Sequence, residues 1–156
     1  MTFVIKVDEE EECLPTVLSL LGQQKFIRVD GHSGVGKTRI AKALASELGW
    51  NHVRLDDFLD KADTKSRYEN RVLVNDVIAR ISDSSNGVIL DGLWLDHLIQ
   101  RDIFGPELRI YMRASFAPEF DNDEKRRRAK LGTEIYHRRY DPARWADLVI
   151  MKIAIF

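Results

Sequence analysis

Cysteine is almost absent from this chain of 156 residues: the single thiol, Cys13, cannot close an internal disulfide. A reducing compartment follows, with Cys13 read as a small hydrophobe buried on a helix. Long apolar runs are also missing. No stretch approaches the roughly 18 consecutive apolar residues that a membrane-spanning helix needs. The opening Met-Thr-Phe-Val-Ile-Lys-Val, followed by an acidic run, lacks the form of a secretory signal, and a cytoplasmic location is expected. Charge of either sign is not in excess: 24 Lys+Arg stand against 25 Asp+Glu, so no global basic field draws in nucleic acid and only a local patch could. His32, His52, His97 and His137 share no metal-ligand spacing, which disfavours zinc. Repeats and low-complexity tracts are absent. The length suits a single domain over 1–156 with a real core.

Against these absences stands one strong pattern. Gly31-His32-Ser33-Gly34-Val35-Gly36-Lys37-Thr38 has the G-x-x-x-x-G-K-[ST] form of a phosphate-binding loop. Lys25-Phe26-Ile27-Arg28-Val29-Asp30 before it alternates toward a buried strand, and Ile40, Ala41, Leu44, Ala45 and Leu48 after it repeat at helical spacing until Gly49. The glycines permit a backbone conformation in which successive N–H groups of residues 31–38 converge on phosphate oxygens. The helix beginning near Lys37 adds about half a positive charge at the same place. Lys37 is expected as an exposed cation reaching the β- and γ-phosphates, and Thr38 as a hydroxyl ligand of Mg²⁺. The glycine order is not that of the dinucleotide fingerprint.

Phe3 to Val7 is strand-like, and Asp8-Glu9-Glu10-Glu11-Glu12 reads as a solvated helix start leading into Leu14, Val17, Leu18 and Leu21. Residues 1–22 thus form an N-terminal extension ahead of a core. Asn51 to Leu55 predicts a second core strand, and Tyr68, Val72, Val74, Val77, Ile78 and Ile81 outline one helix, stopped by the turn cluster Ser82 to Gly87. Val88-Ile89-Leu90-Asp91 is a short apolar strand of the kind buried on both faces, with Leu108 to Met112 and Leu148 to Ile155 completing five. Alternating strands and helices imply an α/β sandwich around a parallel sheet, with ligands at its carboxyl edge.

That edge collects Asp56, Asp57 and Asp91 beside the loop. Phosphoryl transfer needs a carboxylate to take the acceptor's proton, and another commonly assists Mg²⁺. Asp56 or Asp57 suits the first role and Asp91 the second; a helix cap is the alternative for each. Asp123 to Lys130, with Arg126, Arg127 and Arg128, and then Arg138 and Arg139, concentrates positive charge before the last strand. This is either a solvated helix face or a lid, 119–144, whose guanidinium groups neutralise the transferring phosphoryl group. Trp50, Trp94 and Trp145 are expected to pack in the core or lid.

The chain resembles the uridine kinase-like P-loop kinases, which include uridine, cytidine and nicotinamide riboside kinases. The resemblance rests on Val29 to Thr38, Leu55-Asp56-Asp57-Phe58, Val88 to Gly92, the arginine-rich segment with Gly132, Tyr136 and Pro142, and Ala146 to Ile150. It implies the P-loop NTPase fold with a five-stranded sheet in the order 2-3-1-4-5 and a helical lid. It further implies ATP and Mg²⁺ as cofactors, with Gly31 to Thr38 around the phosphates. Lys37, Asp56 as the base and Arg127 would be the catalytic groups, Arg126, Arg128 and Arg138 would contact phosphate, and Thr38 and Asp91 would hold the metal. Leu59 stands where that family has an aromatic residue, and 60–71 is short and charged, so nucleoside specificity does not carry over. The chain also ends at Phe156, where relatives continue with a loop near the adenine.

The expected activity is transfer of the γ-phosphoryl group of a nucleoside triphosphate to a hydroxyl of a small molecule. Two other readings stand beside it: a nucleotide-binding regulator with little turnover, and a polynucleotide 5′-kinase using Arg126 to Arg128. A guanine-nucleotide switch is disfavoured by the lack of Asn-Lys-x-Asp, and a motor ATPase by Gly92 after Asp91.

Overall fold

A computed structural model describes residues 1–114 and 124–153, with the backbone alone over 124–130. Strands Phe3–Val7 (β1), Phe26–Gly31 (β2), Asn51–Arg54 (β3), Val88–Asp91 (β4), Leu108–Ala114 (β5) and Leu148–Lys152 (β6) form one sheet. Its order is β1-β6-β5-β2-β4-β3, and every pairing is parallel. Six strands replace the expected five. The extension does not merely precede the core: β1 pairs along β6 from Phe3 opposite Leu148 to Val7 opposite Lys152, covering an edge that would otherwise expose unpaired backbone groups. Counted from β2, the other five strands lie in the order 2-3-1-4-5.

The helices are Leu14–Leu20 (α1), Lys37–Leu48 (α2), Tyr68–Arg71 (α3), Val74–Ser82 (α4), Leu95–Leu98 (α5) and Glu124–Tyr140 (α6). Strand pleating divides them between two layers, since alternate side chains leave opposite faces. Ile27, Val29, Ile89 and Ile110 face α1 and α2, meeting Val17, Ile40 and Leu44. Phe26, Val53 and Leu90 face α4 and α5, meeting Val77, Ile81 and Leu95. Among the described residues no helix is long and apolar enough to cross a membrane.

Two sequence expectations give way here. The single helix outlined by Tyr68 to Ile81 is two helices. Val72 bridges back to Leu59, and Leu73 N donates to Phe58 O at 2.8 Å, so the chain is extended between α3 and α4. The acidic run is not wholly solvated: Glu10–Cys13 is a 3-10 turn in which Glu10 is 1% exposed. Cys13 is buried as expected, and burial pushes its thiol up to about 12.

The central strand carries charge into this core. Arg28, 2% exposed, donates from Nε to Glu107 Oε1 at 3.1 Å, from Nη1 to Ile99 O at 2.7 Å and from Nη2 to Gln100 O at 3.1 Å. Its fork thereby ties 95–107 to β2. A buried guanidinium is tolerated only when so paired, and removing one partner strands the other in a dry site. Arg28→Ala should therefore cost about 3–5 kcal/mol, read by urea unfolding; a loss within the few tenths typical of surface sites would show that Glu107 and the two carbonyls do not depend on it.

Candidate active site

The loop between β2 and α2 is shaped by two close approaches. Gly31 has φ +145°, and a Cβ there would lie 2.1 Å from Met112 O on β5. Gly36, at φ +98°, starts α2, and a Cβ on it would meet Glu10 Oε1 at 2.2 Å. The backbone of β5 leaves no room for a side chain at Gly31, and the left-handed backbone at Gly36 would strain one. Among the described residues no side chain caps the N-terminus of α2, leaving its first N–H groups and the positive end of its dipole open to an anion. Val35 is 5% exposed and packs in the core, so it pins the loop and offers only its backbone outward. Ser33 and Gly34 are exposed.

Lys37 departs from expectation. It is 8% exposed, arching over its own loop to donate to Gly31 O at 3.3 Å and His32 O at 2.6 Å. Burial lowers its pKa, while the charges of Asp30, Asp91 and Asp56 oppose that shift. The side chain is thus already drawn over the loop, an arrangement that needs no core packing.

A cleft of about 280 Å³ opens beside the loop, lined among others by Lys37, Thr38, Asp56 and Asp91. Thr38 Oγ1 donates to Asp91 Oδ1 at 3.0 Å, and His52 Nε2 bonds Asp91 Oδ2. A hydroxyl and a carboxylate so close are the hard oxygen donors Mg²⁺ takes, so the pair fits that ion. Asp56 is half-exposed at the cleft wall, accepting from Tyr68 Oη at 2.7 Å and Arg54 Nη2 at 3.1 Å. Burial and the Asp56 charge raise the Tyr68 pKa, so the phenol stays a donor. Asp57 is exposed and does not line the cleft. A larger groove of about 550 Å³ beside α5 holds none of the loop residues.

Helix α6 reaches the loop by means that sequence reasoning did not find. Tyr136 Oη donates to Asp30 Oδ2 and accepts from Asp96 N at 3.1 Å. The other Asp30 oxygen accepts from Gly31 N at 2.7 Å. Burial pushes Asp30 up to about 6, against the hydrogen bonds from Tyr136 and Gly31. The His137 ring lies on the ring of His32, centroids 4.1 Å apart and planes 7° from parallel. Of the four histidines, the sequence weighed only their spacing; the pairing across 105 residues carried no local signal. Arg138 is exposed and not among the cleft-lining residues. The side chains of Arg126, Arg127 and Arg128 lie outside the described residues, as does 119–123 of the expected lid.

Burial, foremost, and the neighbouring His32 and Lys37 push His137 down to about 4, with its bond to Thr133 O and the Asp141 charge opposing. Between about 4 and its ordinary 6.5, the unfolded chain binds a proton that the native one refuses, so acidification through that window favours unfolding. Asp30 has the opposite sign: raised to about 6 from 3.8, it holds in the native state a proton that the unfolded chain releases. Urea unfolding at pH 7 and pH 5 should show His137→Phe losing less stability on acidification than the parent, and Asp30→Asn losing more. Parallel profiles for all three proteins would contradict these burial assignments.

No family model matches the chain. It is similar to the "Putative adenylate kinase" of Pyrococcus abyssi, with 37% identity over 82 residues, which are 50% of this chain and 45% of that protein. The chain thus spans about half the length of this curated relative. Its fold is similar to the structure of a possible uridine kinase from Bacillus stearothermophilus, with TM-score 0.62, 17% identity, and coverage of 90% of this chain and 96% of the other. Phosphate loop, parallel sheet and layered helices together give this chain a fold like that of the possible uridine kinase.

Proposed function

We propose that this protein is an ATP-dependent kinase that transfers the γ-phosphoryl group to a hydroxyl of a nucleoside-like or other small metabolite. The observation that carries this reading is the shared cleft: Asp56, a carboxylate free to receive a proton, stands in one cavity with Lys37, Thr38 and Asp91. A purely nucleotide-binding regulator has no use for that carboxylate.

In the proposed reaction the loop N–H groups of 33–37 and Lys37 hold the β- and γ-phosphates, with Lys37 exchanging its bonds to Gly31 O and His32 O for phosphate oxygens. Thr38 and Asp91 would hold Mg²⁺, which supplies charge neutralisation on the phosphates when bound. Tyr68 and Arg54 fix the Asp56 carboxylate, whose remaining lone pairs accept the proton of the acceptor hydroxyl. The acceptor oxygen then bonds to the γ-phosphorus as the bond to the β–γ bridging oxygen breaks, and a nucleoside diphosphate leaves. The lid arginines Arg126, Arg127, Arg128 and Arg138 enter this proposal by charge alone.

A phosphate acceptor is a second reading, favoured by the adenylate kinase name of the curated relative and by Arg39 and Arg54 at the cleft wall. A screen of phosphoryl transfer from ATP to nucleosides, sugars and vitamins, alongside nucleoside monophosphates and short oligonucleotides, separates the two. On the best acceptor, Asp56→Asn should lower turnover about 10²-fold or more, the range for loss of a general base, with ATP affinity nearly unchanged and Asp57→Asn far milder. A phosphate acceptor, already ionised, would leave Asp56→Asn almost fully active.

Lys37→Met should abolish ATP–Mg²⁺ binding in a titration calorimeter while the circular dichroism of the fold persists, because among the described residues the Lys37 head group bonds only loop carbonyls. Undiminished binding would remove the phosphate-loop reading itself.

A further inference from the structure

Asp91 is 2% exposed at the carboxyl end of β4. Each of its oxygens has one partner among the described side chains, Thr38 on Oδ1 and His52 on Oδ2. The two partners sit differently. Thr38 belongs to the phosphate loop and lines the cleft with Asp91, whereas His52 lies on β3, behind the carboxylate and outside the cleft lining. In the β3–β4 register Arg54, not His52, stands opposite Asp91; His52 is paired with Ile89. The imidazole therefore extends along the sheet by two residues to reach Asp91.

We infer that His52 is a positioning residue, which fixes the plane of the Asp91 carboxylate so that Oδ1 faces Thr38 and the metal position. An ionised carboxylate only accepts hydrogen bonds, so the imidazole must supply the hydrogen from Nε2, and the tautomer is set. With Oδ2 held from behind, rotation about the Cβ–Cγ bond is blocked and Oδ1 is delivered to the cleft side. Without His52, Oδ2 would be buried without a donor, and the carboxylate would turn to regain one. Groups that orient a metal-holding side chain in this way typically contribute 10–100-fold to metal affinity. The inference rests on the reading of Thr38 and Asp91 as the Mg²⁺ pair.

The test is the affinity of the whole chain for a fluorescent ATP analogue, titrated in excess Mg²⁺ and again in EDTA, for the parent, His52→Ala and His52→Gln. The parent should bind more tightly with Mg²⁺. His52→Ala should lose about tenfold or more of affinity in Mg²⁺, at the lower end of the range for such partners, and change less than about twofold in EDTA. His52→Gln, whose amide nitrogen can donate from a similar reach, should recover most of the loss. A residue that only stabilised the fold would lower both affinities together, or neither, and glutamine would not restore the metal-dependent part; any of these results overturns the inference. If His52→Ala does not fold, His52→Asn takes its place, its shorter amide falling short of Asp91. A parent that binds nucleotide equally with and without Mg²⁺ sinks this inference while nucleotide binding stands. A parent that binds none under either condition sinks the proposed function as well.

Discussion

Two charged side chains buried on one face of the central strand organise much of what surrounds them. Arg28 and Asp30 are two residues apart on β2 and 2% and 4% exposed, so both project into the layer formed by α5 and α6 rather than toward α1 and α2. Neither can be left unpaired in a dry interior. The segment 95–107 wraps so that Ile99 O, Gln100 O and Glu107 meet Arg28. Helix α6 is laid down so that Tyr136 meets Asp30. The same tyrosine accepts from Asp96 N, and Asp96 pairs with Arg28 at 3.4 Å. The two charges are thus solved by one connected set of groups.

That solution bears directly on the phosphate loop. Asp30 precedes Gly31 and bonds its N–H, so the docking of α6 and the first turn of the loop share a carboxylate. The stacked rings of His32 and His137 add a second contact between the same two elements. From the opposite side the N-terminal extension contributes. Strand β1 lies parallel to β6, and the turn after it places Glu10 against Gly36, where Oε1 accepts from Lys152 Nζ at 2.6 Å and Oε2 lies 3.6 Å from Arg39. The loop is therefore held between a carboxylate from the extension and the helix that precedes the last strand. Its own Lys37 closes over it. Such prior fixing is what lets backbone N–H groups bind an anion without reorganising.

The wall that faces the proposed acceptor is built by another departure from regularity. Because Val72 bridges Leu59, α3 is folded back over the turn that carries Asp56, and Tyr68 reaches the carboxylate. A continuous helix over the same residues would have carried Tyr68 away. The broken helix is thus the reason Asp56 has a fixed orientation while remaining half-exposed, and Asp57, one residue on, has neither property.

What the sequence by itself determined is local. The spacing of Gly31, Gly36, Lys37 and Thr38 specified a strand, an anion-binding turn and a helix, because that conformation is encoded within eight residues. The apolar run of Val88 to Leu90 marked an inner strand, and Asp56 and Asp91 were legible as edge residues because parallel topology sends strand ends to one side. Tertiary structure alone decided the partnerships. That β1 joins the sheet depends on an open edge at β6, with Leu148 lying 145 residues after its partner Phe3, and on register that no local pattern states. That Glu10 is buried, that Lys37 folds back, that His52 backs Asp91 and that Tyr136 serves Asp30 all follow from side chains far apart in sequence meeting across the sheet. Periodicity reports which face of an element is apolar; it does not report which polar group waits on the other side to satisfy a buried charge.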